Sequence, residues 1–183
     1  MIDALKKKEI SVEEAIESGD LPEKVLHMFA CDCIERAIQR RERQGVVIHE
    51  RTREALHIKR KWLEGRVDNQ VYLSVWVNAW SIASDNWRPH RDHQDAVLPE
   101  RPKDALYEGI AWALTRQGQN AANVIGFTDE VDRDWQRARF IWLLECYQWA
   151  GERMTFLIPE GRIPEPEDLR VDAFDDERTG EDE

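Results

Sequence analysis

The stretch Leu26-His-Met-Phe-Ala-Cys-Asp-Cys-Ile-Glu-Arg-Ala-Ile38 constrains the fold of this chain more than any other. Val25, Leu26, Phe29, Cys33, Ile34, Ala37 and Ile38 recur every three or four residues. That spacing places side chains on one side of a 3.6-residue helix, facing a core. Asp32, Glu35 and Arg36 fall off the stripe, so the helix also carries a charged edge. Such a helix needs others to cover it.

The remaining sequence supplies them. Ser11 and Glu14 have the spacing of a capping box and Gly19 that of a stop, which predicts a short helix over residues 11–18. Asp20 as cap and Pro22 in the first turn open a second, over 22–43, and Gly45 ends it. A third spans 49–64, with Ala55, Leu56, Trp62 and Leu63 inward and Gly65 as breaker. Asp68 caps a fourth reaching Trp87, whose Val71, Tyr72, Val75, Trp76, Ala79, Ile82 and Ala83 make a broad apolar face. That breadth predicts a central helix with neighbours on two sides. A strand over 71–77 competes on propensity alone, and the helical spacing of the apolar residues overrules it.

Residues 88–102, rich in proline, charge and histidine, read as a surface loop. Pro102 opens a fifth helix through Gln117, and 119–125 form a short helical turn. The last helix, capped by Thr128, is expected to continue to Arg153. Its Trp135, Trp142 and Trp149 stand seven apart, and Phe140, Leu143, Leu144 and Tyr147 add a second apolar flank. The second flank favours burial at the centre of a bundle over a coiled-coil dimer. The expected fold is therefore all-α: a bundle of five to seven helices in one domain over residues 1–158, followed by a disordered acidic tail over 159–183.

Charge separates the two parts. Of the net −11, the tail holds −8, from eleven acidic residues against three arginines. The body is nearly balanced, which excludes a protein whose whole surface binds nucleic acid. Its main basic region, Arg40, Arg41, Arg43, Arg51, Arg53, Lys59, Arg60 and Lys61, is interrupted by Glu42, Glu50 and Glu54. That mixture reads as solvated helix ends. Three cysteines, a polar start and the lack of a long apolar run point to a cytoplasmic protein with reduced thiols and no membrane association.

Candidate chemistry is sparse. Cys31 and Cys33, two apart on a helix, point roughly 200° away from each other, so they do not make a metal pair. His90, Asp92, His93 and Asp95, with Asp85 nearby, are the best metal-like group, but in a proline-flanked loop they read as a solvated turn. His27 and His57 are expected to satisfy local hydrogen bonds. Asp32, Glu35 and Arg36 contain the elements of an acid–base set, yet Asp32 and Arg36 also stand four apart, the arrangement of a helix-surface ion pair. No phosphate loop or nucleophile motif is present. No catalytic residue, cofactor or metal is therefore assigned.

The segments Phe29-Ala-Cys-Asp-Cys-Ile-Glu-Arg-Ala-Ile38 and Ala55-Leu-His-Ile-Lys-Arg-Lys-Trp-Leu-Glu-Gly65 resemble a family of immunity proteins of bacterial toxin systems. Members of that family are similar in an Ala-x-Asp-Cys-x-Glu-Arg helix, an acidic-to-basic connector and a helix ending in Trp-x-x-Gly. The matching residues are Ala30, Asp32, Cys33, Glu35, Arg36, Trp62 and Gly65, within a resemblance covering about residues 25–85. Beyond it the chain departs from the family's Ala- and His-rich helices. The resemblance implies a non-catalytic protein that neutralises a toxin or other protein partner by stoichiometric binding, and it supplies no catalytic residues.

The tail fits that role. Asp168, Asp172, Asp175, Asp176 and Glu177 are the expected contacts to a basic toxin or nuclease, with no direct binding of nucleic acid. Two other readings stand beside it. One is a phage- or plasmid-encoded inhibitor or accessory protein of a nucleic-acid machine, acting by the same acidic mimicry. The other is a small metal-dependent hydrolase with His90 and His93 as ligands.

Overall fold

A computed structural model describes residues 1–85, 105–127 and 132–151. These form α1 (Ile2–Lys6), α2 (Val12–Glu17), α3 (Glu23–Arg43), α4 (Glu50–Leu63), α5 (Asn69–Asp85), α6 (Ala105–Ala113), α7 (Gly118–Ala122), a 3-10 turn (Asn123–Phe127) and α8 (Arg133–Ala150). The described residues contain no strand, so the fold is all-α. Their eight α-helices exceed the expected five to seven because α1 and α7 are five-residue helices. The 88–102 loop with His90 and His93, and the tail with Asp168, Asp172, Asp175, Asp176 and Glu177, lie outside the described residues.

Local chemistry sets most helix ends. The Ser11 hydroxyl accepts from the Glu14 amide at 3.0 Å while the Glu14 carboxylate accepts from the Ser11 amide at 2.7 Å, completing the predicted box. Asp68 Oδ1 accepts from the amides of Gln70 and Val71 at 2.7 and 2.9 Å, as its position implied. At the end of α3, Gly45 takes φ +83°, and the amides of Gly45 and Val46 return to the Glu42 and Arg41 carbonyls. Gly65 repeats this closure at φ +71° after α4, with bonds to Trp62 and Lys61. Only glycine adopts this left-handed backbone without a steric penalty. Asp20 does not cap α3: Pro22 holds the N-cap position in an extended conformation, with no side-chain cap.

The centre of the bundle is α3. Every residue from Val25 to Ile34 is buried, because α4, α6, α7 and α8 cover it from different sides. One core cluster draws residues from every α-helix, and Phe29 meets Phe140 of α8 at 4.9 Å between ring centres. The expectation of a central α8 is therefore corrected. Trp135 and Trp142 join Phe140, Leu143 and Leu144 in the core, but Trp149 is 72% exposed. An α-helix turns 100° per residue against 102.9° for an exact heptad, so a seven-residue stripe drifts off a straight contact line. α5 has neighbours on two sides, α4 and α6, as its broad apolar face implies, but it is not central: Val71, Leu73 and Val77 face outward. Among the described residues no helix is long and apolar enough to cross a membrane.

A close approach of α7 to α3 explains Gly118. A Cβ there would lie 2.9 Å from the Glu23 carbonyl oxygen and 3.1 Å from Leu26 Cβ, so α7 can sit against the start of α3 only with glycine at this point. Its φ is not left-handed, so the requirement is steric. Gly118→Ala is expected to lower unfolding free energy in urea by about 1–3 kcal/mol, the usual cost of overpacking, despite the gain in helix propensity.

Candidate functional site

Two polar clusters are built around α3. The first centres on Asp32, which is 1% exposed. Its Oδ2 accepts from both Nε and Nη2 of Arg139 at 2.8 Å, and its Oδ1 from Arg60 Nη2 at 3.1 Å. Arg60 also pairs with Glu35, one helical turn along. Two carboxylates of α3 thus meet one guanidinium from α4 and one from α8. Arg139 is itself 1% exposed, its guanidinium carbon 4.2 Å from the Trp142 ring centre. Further along α3, Arg36 Nε and Arg40 Nη1 grip the buried Asp132 carboxylate at 2.8 and 3.2 Å, and Arg36 lies over Trp135.

This arrangement corrects the expected Asp32–Arg36 surface pair. Four residues apart permits that contact, but each side chain takes a partner from a distant segment: Asp32 from α8 and Arg36 from the residue before it. An exposed i, i+4 pair gains only a few tenths of a kcal/mol, whereas a buried carboxylate left unpaired costs several, so burial of α3 dictates tertiary partners.

The second cluster closes the C-terminal end of α6. A helix leaves its last carbonyls without amide partners and with partial negative charge. Here three other helices supply donors. Lys59 of α4, fully buried, donates from Nζ to the Thr115 carbonyl at 2.8 Å and to the Tyr72 phenol oxygen at 2.9 Å. Tyr72 of α5 donates its hydroxyl to the Leu114 carbonyl. His27 of α3 lies 3.2 Å from the Arg116 carbonyl through Nε2, which fixes the proton there and leaves Nδ1 without a partner. Three successive carbonyls are thereby engaged, and α6 stops at Ala113 instead of running to Gln117.

Aromatic rings wall this cap. Trp62 stacks on Tyr72 at 4.3 Å and 11°, the edge of His27 meets Trp62 at 5.8 Å, and the Lys59 nitrogen lies 4.5 and 4.9 Å from the two ring centres. Burial depresses Lys59 to about 7, with the Cys31 thiol and Glu23 opposing and Arg116 reinforcing. His27 is driven down to about 3 by burial, then by the Lys59 charge, against the Arg116 carbonyl. Glu23 lies 3.7 Å from His27 but is largely exposed, and does not hold the imidazole charged. Burial raises the Tyr72 phenol above its ordinary range and pushes the Cys31 thiol up to about 11; Cys33 rises for the same reason, so both cysteines are neutral thiols.

Of the residues singled out in the sequence, Asp32, Glu35 and Arg36 belong to the ionic clusters and Trp62 to the cap, while Ala30 and Cys33 are core and Gly65 ends α4. His90 and His93 lie outside the described residues, among which no three His, Cys, Asp or Glu side chains converge as a metal site. The solvated reading is overturned for Lys59, which is fully buried, and for Arg60, whose side chain is only 12% exposed and paired with Asp32. Lys59, Tyr72, Asp132 and Arg139 complete the two clusters beyond the polar groups that the sequence singles out. A signal existed for two of them. Lys59 stands four after Ala55 and three after Leu56, and Arg139 lies between Trp135 and Trp142, so each is a cation at an inward helical position.

Since His27 is neutral in the folded protein, its contribution to stability is fully present above its unfolded value of 6.5 and is lost as pH falls toward about 3. Urea unfolding at pH 5 is expected to give a free energy about 2 kcal/mol below that at pH 7 from this group, and the decline should flatten in His27→Gln, whose amide can still donate to Arg116. The chain matches no protein-family model, no curated protein and no solved structure.

Proposed function

We propose that this protein is a non-catalytic, immunity-like binder that neutralises a toxin or other protein partner by stoichiometric association. The observation that carries the reading is the outer face of α5. From Asn69 to Ser84 the helix has no charged residue, in a chain that is 34% charged, and Val71, Leu73 and Val77 are 45, 40 and 55% exposed. Protein interfaces are depleted of charge at their centres, so a neutral apolar helix face on an otherwise charged surface suits a protein partner.

Two further features support it. The residues that carry the family resemblance form a rigid interior, with Asp32, Glu35 and Arg36 committed to helix-to-helix pairing. The tail brings a net −8, which speeds encounter with a basic partner such as a nuclease toxin through long-range attraction. Free Cys31, Cys33 and Cys146 suit a reducing compartment, and we place the complex in the cytoplasm.

Gentle purification of the full chain with its neighbouring gene products, followed by mass spectrometry, should return one protein in stoichiometric amount whose activity the chain suppresses. Leu73→Asp with Val77→Asp should weaken that purified complex by about thirtyfold or more, as loss of an interface hot spot does, with helical content unchanged. Removal of residues 159–183 should slow association and reduce its salt dependence. Full affinity in the double variant would remove α5 from the interface, and failure to recover any stoichiometric partner would refute the binding role.

A further inference from the structure

We propose that Lys59 is a proton-operated latch that holds α4 and α5 against the C-terminal end of α6. One nitrogen bridges all three elements. Its two acceptors, the Tyr72 phenol oxygen and the Thr115 carbonyl, come from α5 and from the turn after α6, and the Tyr72 hydroxyl in turn donates a hydrogen bond to the Leu114 carbonyl. Among the described residues no carboxylate pairs with Lys59, although it is fully buried.

The geometry suits an amine better than an ammonium. A neutral amine has two N–H bonds, and the cap offers two acceptors. Protonation adds a third N–H and a full charge in a site whose compensation is the phenol oxygen, the partly negative Thr115 carbonyl and the faces of Trp62 and Tyr72, with no carboxylate among the described residues. A buried donor without an acceptor and a buried charge without a counter-ion both favour water, so the protonated side chain is better served when the corner opens.

The surrounding charges only partly offset one another, and burial outweighs them. From α3, Cys31 and His27 are neutral near pH 7, and the exposed Glu23 gives a weak attraction. On α4 the neighbouring Arg60 is balanced by Asp32 and Glu35; on α5 Tyr72 is a neutral phenol; after α6 the charge of Arg116 opposes a second cation. Burial brings the transition of Lys59 to about 7. A group with a depressed folded value takes up its proton as pH falls through that value, so the latch is closed above and released below. The device stands whether or not α5 receives a partner.

The test is 19F NMR of the full chain labelled with 5-fluorotryptophan, with Trp62 assigned through Trp62→Phe. Between about pH 8 and 6 the Trp62 resonance should shift with a midpoint near 7, and its H2O/D2O solvent-isotope shift should grow as water enters. Trp142, on the Asp32 cluster, should remain unchanged over that range. Lys59→Met and Lys59→Gln should abolish the Trp62 response. A wild-type Trp62 signal constant across the range, or a response surviving in either variant, would overturn the latch. Titration of 13Cε-lysine in the unmutated protein decides independently of how the variants fold: a Lys59 midpoint near 7 supports the latch, and one near the ordinary 10.5 overturns it.

Discussion

The carboxylate of Asp32 is the point on which this structure turns. It lies in the interior of the central helix, and its two oxygens are claimed by Arg60 from α4 and Arg139 from α8. A buried ion pair of this kind adds little net stability over apolar residues of the same shape, because desolvation offsets most of the attraction. Its force lies in what happens when it is broken. An α3 shifted by one residue would rotate Asp32 away from both guanidiniums and leave three buried charges uncompensated. The pairing thus selects one register for three helices.

The second cluster follows from the first. Cys31 and Asp32 are adjacent on α3, and Lys59 and Arg60 are adjacent on α4, so consecutive residues feed two sites about 100° apart around each helix. Arg60 enters the ionic site, where opposite charges cancel. Lys59 enters the aromatic cap, where neutral donors meet the final carbonyls leaving α6. The two sites differ accordingly in their response to protons: one is held by permanently charged guanidiniums, the other by an amine and an imidazole pushed toward neutrality. Both lie inside the bundle, which leaves the outer face of α5 as the surface best suited to the binding role we propose.

Local rules made much of the fold legible. The Ser11 box, the Asp68 cap and the glycines after α3 and α4 act within a few residues, and each was found where its spacing implied. Partner choice was not legible. Asp32 and Arg139 are 107 residues apart, and no periodicity of either segment says that they meet. Charged residues are normally solvated, so Lys59 reads by type as a solvated cation although its helical position is inward, and nothing in the type of Arg139 marks it as buried. The tryptophans misled for the converse reason. An apolar heptad suggests a buried stripe, but only Trp135 and Trp142 of it are buried, and Trp149 turns outward although its neighbours Tyr147 and Ala150 still pack on the core.

Because Asp32 fixes how α3, α4 and α8 assemble, the stability of Asp32→Ala against that of Asp32→Leu combined with Arg139→Met is the most direct measurement. Urea unfolding should show the single substitution costing about 3–5 kcal/mol, since it strands a buried guanidinium, and the combined variant regaining most of that loss. A single-substitution cost below about 1 kcal/mol, the behaviour of an exposed pair, would contradict the account.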